Sequence, residues 1–146
     1  MLDRLWSVRV LGVPGAKELA KLAFELAETM AEKEVLWIAA ARFDDRAADV
    51  HRLKATGILT TSESGALGFS HQTVFEHVLA RSFAKTEGRL SAYVLARTDS
   101  LFVRPKIWAA LAYLRNVEHE TYEVELNAIW NDIGLRKHLR FLLIEF

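Results

Sequence analysis

The sequence predicts a mainly α-helical fold with one small β-hairpin, and three observations lead there. Between Gly57 and Phe83 the hydrophobic period changes twice, from alternating to turn-like and then to helical. Upstream, Leu19, Leu22, Ala23, Leu26 and Met30 form one helical stripe with charged residues between them. From Arg89 onward, three apolar stripes at helical spacing follow one another, joined by short polar connections. With 146 residues, 51% of them apolar and 10% aromatic, the chain has enough apolar side chain to bury a core.

Each element has its own signal. Leu2, Leu5, Trp6 and Val10 suggest one or two helical turns, limited by Gly12 and Pro14. After the Pro14-Gly15 breaker, a helix is expected from about Ala16 to Lys33. Val35 to Ile38 is a short apolar run that suits either a strand or a helix start, and periodicity does not separate the two. Asp44 or Asp45 can cap a helix that runs to about Ala55 and ends at Gly57. Two β-leaning runs, Gly57 to Thr61 and Ala66 to Ser70, flank the tetrad Ser62-Glu63-Ser64-Gly65, which supplies a residue tolerant of positive φ for a hairpin turn. Beyond it Phe75, Val78, Leu79 and Ser82 fall on one helix face, with Ser70 as the expected N-cap and His71 in the first turn. Phe69, Phe75, Val78, Leu79 and Phe83 read as core, and Arg81, Lys85 and Arg89 as a solvated face.

Helix, short strand, helix, hairpin and helix is the order of a winged-helix module, a variant of the helix-turn-helix, assigned here to residues 1–88. Residues 89–146 are expected to form a helical, HEAT-like segment. Ile107, Leu111 and Leu114 lie on one stripe after Arg104-Pro105, Tyr122, Leu126 and Ile129 on a second, and Leu135, Leu139, Leu142 and Phe146 on a third. Such a succession resembles the opening of an α-solenoid. The apolar pattern runs to Phe146 without a cap, so the expectation is a truncated array whose last helix leaves an edge of Leu139, Leu142, Leu143 and Phe146 open to self-association.

Charge and motifs narrow the function classes. Nineteen basic residues balance nineteen acidic ones, so no overall charge draws the chain to nucleic acid or anionic lipid. The helix before the hairpin carries as much acid as base in its first two turns, and Thr60 to Ser64 contains no cation, which disfavours DNA binding. Absence of cysteine removes disulfides and thiolate metal sites, and with no basic leader or membrane-length apolar run the expected location is cytoplasmic. No phosphate loop of the Gly-x-x-x-x-Gly-Lys-Ser/Thr type occurs, so no catalytic residue is assigned and the chain by itself is expected not to be an enzyme. No metal site is assigned either. His119-Glu120-Thr121-Tyr122-Glu123 lacks the second histidine of the zinc-protease helix, and His71 and His77, six apart, point in different directions on a helix. On its chemistry alone, the preferred reading of His71 is a histidine that closes the hairpin-to-helix junction by hydrogen bonding to backbone, since a lone histidine is weak evidence of function.

Leu53-Lys54-Ala55-Thr56-Gly57-Ile58-Leu59, a variable wing, and Gly68-Phe69-Ser70-His71-Gln72-Thr73-Val74-Phe75-Glu76-His77-Val78-Leu79-Ala80-Arg81 together resemble the winged-helix segment of STAND nucleotidases of the NACHT type. In that family a Gly-Ile-Leu strand precedes the wing, and a Phe-x-His-Gln strand end opens the next helix. The segments Leu101-Phe102-Val103-Arg104-Pro105, Ala112 to Arg115 and Leu135 to Leu143 are similar to the helical region that joins such ATPase cores to their sensor repeats. The resemblance implies that His71 reaches the β-phosphate of ADP in the closed, inactive state of a larger signalling switch. It also implies ADP or ATP with magnesium in the intact protein but no cofactor held by this chain alone. The implied partners are an upstream P-loop module and downstream helical repeats, and a role in antiviral defence follows at family level only. The P-loop, the Walker B cluster and the sensor arginine all lie outside this sequence. The competing expectation is a winged-helix and helical-repeat module that docks proteins and has no nucleotide role.

Overall fold

The computed structural model describes residues 1–100 and 103–146, so the Leu101-Phe102 portion of the helical resemblance lies outside the described residues. The chain is mainly helical, with one small three-stranded antiparallel sheet, and divides into two compact units, Met1–Val78 and Leu79–Phe146.

The first unit begins with α1 (Leu2–Trp6), which runs into one π-helical segment, Ser7–Leu11. Trp6 is buried there against Phe24, ring centroids 5.3 Å apart. Gly12 ends the segment, since a Cβ at that position would lie 3.0 Å from the carbonyl oxygens of Ser7 and Val8. Helix α2 (Ala16–Lys33) has the span expected from its stripe, and Leu19, Leu22, Ala23, Leu26 and Met30 are all buried. Its C-terminus closes through the N–H of Glu34 donating to Ala31 and that of Val35 to Met30, with Glu34 left-handed at φ 53°. A side chain in that conformation is disfavoured by about 1–2 kcal/mol, and the Glu34 side chain is exposed. Glu34→Gly is therefore expected to stabilise the protein by about 0.5–1 kcal/mol, after the extra freedom glycine brings to the unfolded chain. A urea melt reads this directly, and a lowered midpoint would show that the cap is not strained.

Of the ambiguous run Val35 to Ile38, only Ile38 enters a strand, β1 (Ile38–Ala39), while Val35, Leu36 and Trp37 are neither helix nor strand. A 3₁₀ stretch, Ala40–Arg46, leads into α3 (Ala47–Ala55). Here the expected capping by Asp44 or Asp45 is corrected. The N-cap residue is Arg46, with no side-chain cap bond, because the 3₁₀ turn already carries both aspartates before α3 begins. The end of α3 is as expected: Gly57 at φ 75° donates to Lys54, Ile58 donates to Leu53, and the Ile58 and Leu53 side chains are both fully buried.

Strands β2 (Leu59–Thr61) and β3 (Ala66–Phe69) form the hairpin, with Leu59 opposite Phe69 and Thr61 opposite Leu67. Gly65, at φ 81°, turns the tetrad, and the Ser62 hydroxyl accepts from the N–H of Ala66 at 3.0 Å. Because β1 pairs with β3, the strand order is β1-β3-β2 and the strand that leads into α4 (Gln72–Phe83) lies in the middle. The division between the two units falls within α4, between Val78 and Leu79.

The second unit is helical throughout its described residues. Helix α5 (Arg89–Leu95) packs on α6 (Val103–Val117) and α7 (His119–Trp130), while α8 (Lys137–Leu143) packs on both α6 and α7. Ile107, Leu111 and Leu114 are fully buried, as the α6 stripe predicts. On α7 the buried residues are Tyr122, Glu125 and Ile129, so a carboxylate shares the face where Leu126, only half-buried, was expected. The open C-terminal edge needs correction in part: Leu139 and Leu143 are buried, Leu142 and Phe146 are half-buried, and Ile133, Phe141 and Ile144 are exposed near that end. The backbone carbonyl of Phe146 accepts from the Tyr122 hydroxyl at 3.1 Å, and its ring meets Trp108 at 4.8 Å, so the last residue folds back onto its own unit.

Candidate functional site

The residues around His71 are set by the exit of β3. Ser70 does not cap α4 as expected. Its hydroxyl donates to the carbonyl of Gly57 at 2.7 Å, and its N–H donates to Ile58, so Ser70 ties the two ends of the hairpin together. Consequently the N-cap position passes to His71, whose carbonyl accepts from the N–H groups of Val74 and Phe75 at 3.1 and 3.2 Å. Its imidazole is exposed and has no hydrogen bond or ion pair among the described residues. The junction is thus closed by Ser70 and by the His71 backbone, with the ring left over.

Next to His71 a pocket of about 190 Å³ opens within the first unit. Met30 comes from the end of α2, and Leu36 and Trp37 from the segment leading to β1. Phe69 and Phe75 supply the opposite wall, their centroids 5.6 Å apart and their planes tilted by 44°. Ser70, His71 and Gln72 form its polar rim. Trp37 is held by what β3 lacks: a Cβ on Gly68 would lie 2.7 Å from Cε3 of the indole and 2.9 Å from the carbonyl oxygen of Leu36. Leu36 and Trp37 remain 60% and 44% exposed, which leaves apolar surface around a concave site.

The other histidines have different surroundings. His77 is nearly buried and its Nε2 lies 3.6 Å from Asp3, so within the first unit it ties α4 to α1. His119 is exposed on α7 and pairs with Glu123 one turn on, at 3.3 Å. Among the described residues no group of three or more His, Cys, Asp or Glu side chains is gathered as a metal site. The expected solvated face of Arg81, Lys85 and Arg89 is corrected in part: Arg81 is half-buried with its guanidinium 5.6 Å from the Tyr113 ring, and Arg89 is also half-buried. No helix among the described residues is long and apolar enough to cross a membrane.

The pocket was not legible as such. Its walls come from three separate segments, and Leu36 and Trp37 lie in the run whose state periodicity left open. Gly68, inside a strand pattern, was the available signal, since a strand glycine marks a close approach. No protein-family model, curated protein or solved structure matches this chain.

Proposed function

We propose that this chain is the regulatory winged-helix region of a STAND-type ATPase switch, followed by the start of a helical sensor arm, acting in the cytoplasm. His71 would donate a hydrogen bond to the β-phosphate of ADP bound by a P-loop module of the same polypeptide. The observation that supports this most is the imidazole itself. It is exposed and unengaged at the N-cap of a helix, and the fold does not use it. The strand order β1-β3-β2, with the wing between its second and third strands, agrees with the winged-helix reading. A helix start, where unpaired N–H groups and the positive end of the dipole meet, is also a suitable place for a phosphate oxygen.

Fold and function should therefore separate on mutation. His71→Ala is expected to leave the melting of this chain unchanged within about 0.5 kcal/mol, as for a surface side chain without partners. In the protein joined to its P-loop module, the same change removes a charge-assisted hydrogen bond worth about 1.5–3 kcal/mol from the ADP-bound state. ADP release should accelerate by roughly one to two orders of magnitude, with basal activity rising in parallel. Unchanged ADP release would leave the second reading, a protein-docking module without a nucleotide role. The exposed Ile133, Phe141 and Ile144 of the second unit favour that alternative.

A further inference from the structure

We infer that the pocket between Trp37 and Phe75 is a binding site for an uncharged, planar aromatic group of one or two rings. This rests on the cavity and not on the nucleotide reading. Size sets the scale: apolar cavities of about 150 Å³ accept a benzene-sized ligand, and this concave site measures about 190 Å³. Larger ligand sites run from about 300 Å³, so what sits within this one is a single ring system.

The lining sets the chemistry. Phe69 and Phe75 offer tilted ring faces, Trp37 a third, and no Asp, Glu, Lys or Arg side chain lines the pocket. A cation buried there would have no counter-charge, and the positive end of the α4 dipole would oppose it as well. Two polar groups remain for orientation. The His71 imidazole is unengaged, and the Gln72 amide, whose Nε2 donates to Glu76 at 2.8 Å, keeps its oxygen as an acceptor. A ring N–H or hydroxyl at the mouth suits both. The wall is also preformed on one side, because the Trp37 ring lies close over the backbone of Gly68.

The test is a titration of the whole chain with indole, followed by two-dimensional NMR. Saturable shifts are expected at Trp37, Gly68, Ser70 and Gln72, with a dissociation constant near millimolar. Trp37→Ala, at a half-exposed position, should lower the melting temperature only modestly and weaken indole at least tenfold. Tryptamine, the same ring with an ammonium group, should bind several-fold more weakly than indole. A parallel titration with N-acetyltryptophanamide identifies the source: binding as tight as indole marks a side chain of a polypeptide, and weaker binding a free small molecule. Absence of saturation at ten millimolar indole, shifts scattered over the second unit, equal affinity in Trp37→Ala, or tighter binding of tryptamine would each overturn the assignment. Loss of ADP binding by the intact protein would leave it unaffected, so the two readings fail separately.

Discussion

Glu125→Leu is expected to lower the stability of the second unit by about 3–5 kcal/mol, a large share of the 5–15 kcal/mol that holds a typical domain. The Glu125 side chain is wholly buried, and its two carboxylate oxygens accept the N–H groups of Leu90 at 3.3 Å and Ser91 at 2.7 Å. Those are the second and third residues of α5, whose N-cap is Gly88 at φ 81°, a residue with no side chain to do the capping. A seven-residue helix is too short to persist without help, so α5 takes its cap from α7, some 35 residues away in sequence. Leucine matches the volume but leaves two buried donors without an acceptor, each costing about 1–3 kcal/mol. Glu125→Gln keeps one acceptor oxygen and should lose about half as much. Denaturant melts give the totals, and amide exchange at Leu90 and Ser91 should accelerate first. If Glu125→Leu melts like the unmodified protein, the carboxylate is not what holds α5.

The second large effect is expected at Gly68. Gly68→Val should cost about 3 kcal/mol and expel Trp37 from its place. The Cβ would arrive 2.7 and 2.8 Å from two indole carbons and 2.9 Å from the Leu36 carbonyl oxygen, and the last of these is backbone. β3 is the middle strand, paired on both sides, so it cannot retreat without losing ladder bonds to β1 or β2. Melting reads the cost. Comparing Gly68→Val in the presence and absence of Trp37→Ala reads its origin, because removing the indole should restore part of the loss. No recovery in the double variant would show that the Leu36 carbonyl alone blocks the site. Gly65→Val lies nearby in sequence and its Cβ would meet nothing within 4 Å, so its cost should come from its φ of 81° and not from contact.

Among the elements, those legible in the sequence share one property: their signal is local. The stripe of α2 and the hairpin tetrad ending in Gly65 depend on residues within a few positions of each other. So does the Gly57 stop, where left-handed backbone follows a helix. Hydrophobic period and the φ a residue tolerates are properties of a short segment, and they survive whatever packs around it. The corrections fall where a polar side chain had several possible partners. Ser70 has the chemistry of an N-cap, but it bonds to the Gly57 carbonyl because the hairpin brings that oxygen within 2.7 Å. Asp44 and Asp45 are good caps that the 3₁₀ turn places too early.

His71 was visible by its position at the strand-to-helix change, whereas its surroundings were not. That Trp37, Phe69 and Phe75 converge beside it depends on β1 pairing with β3, a contact between residues nearly thirty apart. Glu125 carries the same lesson from the other side. It lies three residues after Tyr122 on the buried stripe of α7, where a charged residue reads as solvated until its partner is known. The sequence by itself determined the striped helices and the hairpin, because those choices are made by neighbours along the chain, and it left the run Val35 to Ile38 open. Only the tertiary structure decided which polar groups are buried, capped or left exposed, because a hydrogen-bond partner brought from 13 or 35 residues away exists only once the chain has folded.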